Sequence, residues 1–63
     1  YLSDREFEIF KLIISGKTAK KIATSLYISD KTVSTYRSRV LKKMNMRNIT
    51  ELIRYAIENN ILD

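Results

Sequence analysis

Residues 18–44 read TAKKIATSLYISDKTVSTYRSRVLKKM and contain two runs of helical periodicity with a three-residue break between them. Thr18 has the side chain of an N-cap, which predicts a short helix over about residues 19–26. Ser29 is the next cap and predicts a longer helix over about residues 30–44. The break is too short for a strand, so it predicts a tight turn joining the two helices. Apolar residues at spacings of three and four predict their buried faces: Ile22, Ala23 and Leu26, then Val33, Tyr36, Val40, Leu41 and Met44.

The segment before this stretch predicts a further helix over about residues 4–15. Ser3 and Glu6 have the spacing of a capping box, in which each side chain bonds the other residue's backbone N–H. Gly16 suits the left-handed conformation that commonly ends a helix. The predicted inward stripe is Ile9, Phe10 and Ile13, flanked by Leu12.

The segment after it predicts a fourth helix over about residues 49–59. Asn48 and Glu51 again have capping-box-like spacing, with asparagine as the cap. Asn59 or Asn60 can end this helix in the left-handed conformation, and the apolar tail that follows should fold back onto the core. With no strand pattern anywhere, the sequence predicts an all-α four-helix bundle.

The composition excludes several classes of chemistry. The chain has 63 residues and contains neither histidine nor cysteine, so imidazole metal sites, disulfides and cysteine nucleophiles are excluded. Capping and the helix dipole explain the acidic first turn of Asp4, Glu6 and Glu8 better than a catalytic carboxylate pair does. No apolar run approaches the roughly 20 residues of a membrane span. We therefore expect no enzyme, no cofactor, no metal and no membrane segment.

Positive charge is concentrated in the middle of the chain. The net charge is +5, yet residues 11–47 carry ten lysines and arginines against a single acid, Asp30, a net of +9. A solvated, soluble face is one explanation for such charge. The one-sided distribution favours the other explanation, a polyanionic partner.

A short helix, a tight turn and a longer helix form the helix-turn-helix arrangement. The shorter helix packs across the longer one and holds it away from the rest of the domain. The exposed face of the longer helix can then enter a DNA major groove about 12 Å wide. Small polar residues at the front of the second helix, Ser34, Thr35 and Ser38, allow close approach to base edges. Basic residues at its flanks can meet phosphates.

The sequence resembles the LuxR-type domain, also called GerE- or NarL/FixJ-type, over residues 2–62. The matching stretches are Leu2-Ser3-x-Arg5-Glu6-x-Glu8-Ile9-Phe10, Leu12-Ile13-x-x-Gly16-Lys17-Thr18, Lys21-Ile22-Ala23, Leu26 to Val33, Tyr36 to Met44 and Thr50 to Ala56. The resemblance implies a bacterial transcription regulator whose third helix recognises DNA and whose fourth helix forms a weak homodimer.

The resemblance also implies roles for individual residues. Base-reading positions would fall on Lys31, Ser34, Thr35 and Ser38, and phosphate contacts on Thr18, Lys20, Thr32, Tyr36, Arg37, Arg39 and Lys42. This chain departs from the family's common residues: it has Ser34 for lysine or arginine, Tyr36 for histidine, Lys21 for glutamate and Asn60 for glycine. The serine removes the usual bidentate contact to guanine. Tyr36 could serve packing as well as phosphate binding, and Lys42 and Lys43 could simply complement the helix C-terminus.

The fourth helix has two apolar sides. Leu52, Tyr55 and Ala56, with Ile49 nearby, can seat it on the first and third helices. The other side carries Thr50, Ile53, Arg54 and Ile57, which the resemblance assigns to the dimer contact.

Taken together, we expect residues 1–63 to be one DNA-binding domain, the C-terminal effector module of a longer cytoplasmic, nucleoid-associated regulator. A response regulator is the context that the resemblance favours, with RNA polymerase as a further partner and no small-molecule ligand in this segment. The alternative is a helical protein-interaction module whose basic face binds an acidic protein or RNA polymerase.

Overall fold

The computed structural model describes residues 1–61, and within them it contains four helices and no strand. The helices are α1 (Asp4–Ile14), α2 (Ala19–Leu26), α3 (Asp30–Lys43) and α4 (Ile49–Glu58). The all-α prediction is therefore confirmed. Helices α1, α3 and α4 each end one residue earlier than predicted, because Ser15, Met44 and Asn59 are the C-caps. Leu62, expected in the apolar tail, lies outside the described residues.

All four predicted N-caps are present. The side chains of Ser3, Thr18, Ser29 and Asn48 each accept a hydrogen bond from the backbone N–H three residues later. Ser3 and Glu6 complete the capping box, since the Glu6 carboxylate accepts from the Ser3 N–H at 2.8 Å. Glu51 departs from the expected pattern, because its carboxylate accepts from the Arg47 N–H at 2.8 Å. These local bonds fix where each helix begins.

Each helix is also ended by a residue with positive φ: Gly16, Tyr27, Asn45 and Asn60. In each case the N–H of the following residue bonds the carbonyl five residues earlier, as from Ile28 to Ala23 at 3.0 Å. This bond closes a Schellman motif and satisfies a carbonyl at the helix end. The left-handed roles of Gly16 and Asn60 are confirmed. That of Tyr27 was not predicted, and its φ of 59° is unusual for an aromatic residue.

The positive φ of Tyr27 is expected to cost stability, and this cost can be measured. Its side chain is 95% exposed, so it contributes little packing to offset the left-handed conformation. We expect Tyr27→Gly to raise the free energy of unfolding by about 0.5–1 kcal/mol. The converse variant is Gly16→Ala, where an added Cβ would meet no atom within 4 Å. We expect this variant to lower the free energy of unfolding by about 1 kcal/mol, because alanine disfavours the positive φ of this position. Urea unfolding measures both, and a less stable Tyr27→Gly would reveal a stabilising contact of the ring.

The core is formed by one face from each helix. Helices α1 and α3 pack together, α2 packs against both, and α4 packs against α1. The largest fully buried side chains are Phe10, Ile9, Ile22, Leu52, Val33 and Val40. Ile14 is buried although the predicted stripe omitted it, whereas Tyr36, Leu41 and Met44 are only half-buried. With α3 anchored through Val33 and Val40, its opposite face is left toward solvent.

Candidate nucleic-acid interface

The outward face of α3 is a narrow polar ridge. Lys31, Thr35, Ser38 and Lys42 are exposed and lie within an arc of about 60° at 100° per residue. Ser34, beside them, is half-buried. Four of these five positions are the predicted base-reading residues, and the fold places them on one face. Their side chains are short except for the two lysines, so the backbone of α3 can approach a partner closely.

Thr35 has its hydroxyl engaged within the helix. Its Oγ1 donates to the carbonyl oxygen of Lys31 at 3.1 Å. This bond holds the side chain in one rotamer and uses the only hydroxyl proton. What Thr35 offers to a partner is therefore its methyl group and the remaining acceptor capacity of its oxygen.

One flank of the ridge meets the start of α2. Arg37 is half-buried and lines a hollow together with Lys17 and Thr18. Thr18 accepts from the Lys21 N–H at 3.1 Å, so it caps α2. Lys20 is exposed one residue into the helix. The fold thus brings two predicted phosphate-binding residues, Thr18 and Arg37, to the same hollow, and Lys20 lines a neighbouring hollow that also includes Thr18.

The opposite flank carries Thr32, Tyr36 and Arg39. The Arg39 guanidinium carbon lies 5.6 Å from the centroid of the Tyr36 ring, which is half-buried beneath it. Thr32 belongs to the cap of α3, where its Oγ1 lies 2.9 Å from Ser29 Oγ. The ridge is therefore bordered by basic and hydroxyl-bearing side chains on both sides.

The C-terminal end of α3 is tied to the start of α1. Lys43 Nζ donates to Glu6 Oε1 at 2.8 Å, and the Glu6 side chain is only 5% exposed. Sequence reasoning recognised Glu6 as part of a capping box and Lys43 as complementing a helix end, and it missed this ion pair. The contact spans 37 residues, and no local pattern signals it.

The pKa of Glu6 is lowered from 4.5 to about 2. The hydrogen bond from the Lys43 ammonium is the largest cause, followed by the Ser3 backbone N–H, and together they outweigh desolvation. Because the pKa of Glu6 is lower in the folded protein than in the unfolded chain, the ionised carboxylate stabilises the fold when the pH is above the unfolded pKa. This contribution is lost as pH falls from about 4.5 to about 2.

We therefore expect Glu6→Gln to lower the melting temperature at pH 7, because the uncharged amide leaves Lys43 without its anion. The gap in melting temperature between the wild type and the variant should narrow as pH falls and be largely closed at pH 2, where about half of the wild-type carboxyl groups are protonated. Thermal melts by circular dichroism across this range measure the gap. A gap that stays constant with pH would assign the effect to the shape of the side chain and not to its charge.

On α4 the two sides are separated largely as predicted. Leu52 and Ala56 are completely buried, whereas Thr50, Arg54 and Ile57 are exposed. Ile57 retains 59% of its accessible surface. Ile53 is half-buried and lines the hollow near Ile13 and Ile22, so it takes part in packing more than the other predicted dimer residues.

Tyr55 is more exposed than expected, at 37%. It borders a second hollow that is lined by Phe7, Met44 and Met46. Phe7 stacks on Phe10 at 6.0 Å between ring centroids and lies beneath the Lys11 ammonium. This hollow lies at the C-terminal end of α3, where Lys43 also lines it.

Within residues 1–61 no three histidine, cysteine, aspartate or glutamate side chains gather as metal ligands. In the same part of the chain, no helix has the length and apolar character needed to cross a membrane.

This arrangement, in which a capped short helix supports a longer helix with an exposed polar ridge and basic flanks, is that of a helix-turn-helix DNA-binding domain. The chain belongs to the luxR family of bacterial regulatory proteins, whose family model matches residues 1–56. The resemblance read from the sequence is thus confirmed, and with it the class of transcription regulator.

The relatives are regulators that are much longer than this chain. The chain is 45% identical to the virulence-factor transcription regulator BvgA of Bordetella pertussis over 60 residues, which is 95% of this chain and 29% of BvgA. It is 48% identical over its whole length to the transcriptional regulator ycf29 of Porphyra purpurea, covering 30% of that protein. It is 40% identical to the oxygen regulatory protein NreC of Staphylococcus carnosus, over 98% of this chain and 29% of NreC. The chain therefore spans less than a third of each of these relatives.

Proposed function

We propose that this domain binds double-stranded DNA sequence-specifically, with α3 in the major groove, to regulate transcription. The observation that carries the proposal is the exposed ridge of α3, where short polar side chains stand between two basic flanks. A groove about 12 Å wide admits one helix, and a helix with small side chains can reach base edges through it. Family membership supports the same function.

Contacts divide between the ridge and its flanks. Lys31, Ser34, Thr35 and Ser38 are proposed to read bases. The flanking residues and Lys42, at the C-terminal end of the ridge, are proposed to meet phosphates; the flanking residues are Thr18, Lys20, Thr32, Tyr36, Arg37 and Arg39. Because the Thr35 hydroxyl is donated to the Lys31 carbonyl, the Thr35 methyl group is suited to contact the methyl group of a thymine.

Two copies are proposed to bind two half-sites as a weak homodimer through Thr50, Ile53, Arg54 and Ile57 of α4. Exposed isoleucine on a short helix supports this assignment, since burial against a second copy would remove it from water. A contact limited to one short helix would be small, so the free domain should be monomeric at micromolar concentration.

The wider context is also proposed. Because the relatives named as transcription regulators are more than three times as long, we propose that residues 1–63 are the C-terminal output domain of a longer regulator. A response regulator of a two-component system, working in the bacterial cytoplasm on the nucleoid and contacting RNA polymerase, fits this role. No enzymatic step is proposed for the domain.

Selection of bound duplexes from a random pool, followed by fluorescence anisotropy on the selected site, tests DNA recognition. We expect one enriched sequence and a steep fall of affinity with salt. Enrichment of no sequence, together with binding to acidic proteins, would favour the protein-interaction module instead.

Paired variants at Thr35 test base reading on the selected site. Thr35→Val keeps the methyl group and replaces the hydroxyl by a second methyl, whereas Thr35→Ser keeps the hydroxyl and removes the methyl group. Replacing the contacted thymine by deoxyuridine should weaken the wild type and Thr35→Val about threefold and leave Thr35→Ser unchanged, as expected for one buried methyl group. Equal responses of all three proteins at every thymine would show that Thr35 does not read this group.

A further inference from the structure

The side chain of Arg39 stacks on the aromatic ring of Tyr36, which lies on the same helix. Tyr36 and Arg39 are three residues apart on α3, so their side chains are neighbours on its surface. The Arg39 guanidinium lies over the ring face, 5.6 Å from its centroid. The ring is half-buried and packs against the core, whereas Arg39 is exposed. A fixed ring thus lies below a charged group that faces solvent.

The charge of Arg39 is not committed to a carboxylate in the described part of the chain. The ion pairs there join Arg5 to Glu8, Lys43 to Glu6 and Arg47 to Glu51. Stacking on a ring leaves the edge of the guanidinium, with its N–H donors, available to an outside partner. It also limits the number of conformations that the long side chain visits before binding, which reduces the entropy lost on binding.

We propose that Tyr36 is a positioning residue, and that the stacked Arg39 is a pre-oriented donor for a DNA phosphate. The proposal rests on the DNA-binding function proposed above. On a helical wheel Arg39 projects about 80° to one side of Lys31, and Arg37 about 120° to the other. The two arginines therefore lie on opposite flanks of the ridge, where they can meet the two strands that border a major groove. Arg39 stacks on the Tyr36 ring, whereas Arg37 lines the hollow beside α2.

The stack itself can be tested without DNA. A ring face shifts the NMR signals of nearby protons upfield, so the Arg39 side-chain protons should be shifted upfield in the free protein. Tyr36→Phe should keep the shift and Tyr36→Leu should remove it, with circular dichroism melts confirming that both variants fold. Arg39 shifts that are the same in Tyr36→Leu as in the wild type would overturn the proposal, whether or not the domain binds DNA.

The contribution of the Tyr36 ring to DNA binding is measured with a double-mutant cycle that separates the ring from its hydroxyl. Both Tyr36→Phe and Tyr36→Leu lack the hydroxyl, so a comparison between them isolates the ring. We expect Tyr36→Leu to bind the selected duplex about two- to fivefold more weakly than Tyr36→Phe, the range of an exposed cation–π contact. In the Arg39→Ala background this difference should vanish.

Arg37→Ala provides the matched control, because it removes the same charge from the opposite flank. In that background the two- to fivefold difference between Tyr36→Phe and Tyr36→Leu should persist. Equal differences in the Arg39→Ala and Arg37→Ala backgrounds would show that the ring supports α3 in general, and would overturn the positioning role. A wild type with no affinity for any duplex would refute the proposed function, while the NMR comparison would still decide the stack.

Discussion

Removal of positive charge from the α2 flank is expected to weaken binding to all duplexes. Lys20→Ala and Arg37→Ala should each reduce affinity roughly tenfold at low salt, because each removes a charge-assisted contact to a phosphate. Phosphates carry no sequence information, so specific and non-specific duplexes should lose affinity alike. Each variant should also lower the slope of log K against log salt by about one. Anisotropy titrations at several salt concentrations give both quantities.

Arg5→Ala is the control for this experiment. Arg5 carries the same charge but lies on α1, where it pairs with Glu8 at 3.4 Å. If net charge alone drove binding, removal of Arg5 would have the same effect as removal of Arg37. We expect instead an unchanged slope, because the proposed phosphate contacts lie at the flanks of α3. Unchanged slopes in Lys20→Ala and Arg37→Ala would place the phosphate-binding surface elsewhere.

The limits of the helices could be predicted from the sequence because they depend on neighbouring residues. A serine, threonine or asparagine bonds a backbone N–H three residues away, so Ser3, Thr18, Ser29 and Asn48 mark helix starts without knowledge of the fold. The exposed ridge of α3 follows from the same periodicity, since burial of Val33 and Val40 determines which side faces outward.

Contacts between distant segments could not be predicted in this way. The Glu6–Lys43 pair depends on the angle at which α3 crosses α1, and neither residue's neighbours encode that angle. Tyr27 illustrates a different failure. Schellman geometry required a left-handed residue after α2, and the chain uses a tyrosine where glycine or asparagine is usual. Tyr36 was left open between packing and phosphate binding; its ring is partly packed against the core, and its contact with a phosphate stays a prediction.

A change on the exposed side of α4 is expected to abolish cooperative binding of two copies to DNA. On a duplex with two half-sites about one helical turn apart, two copies should bind cooperatively, with a coupling free energy of about 1–3 kcal/mol. Ile57→Glu should abolish this coupling, because it would place two like charges at a contact formed by the same patch on both copies. Affinity for a single half-site should change little, which separates loss of the dimer from weaker contact with DNA.

Folding of the variant is the check on this interpretation. Ile57 keeps 59% of its surface in water, so a glutamate there is solvated and the melting temperature should stay near that of the wild type. Ile57→Ala removes apolar surface without adding charge, and it should reduce the coupling by a smaller amount. If Ile57→Glu unfolds the domain, this side of α4 is needed for the core, and Leu52 and Tyr55 become the candidates for the dimer contact. If it folds and still binds cooperatively, the two copies communicate through the DNA, since a shared helix face could not tolerate the paired charges.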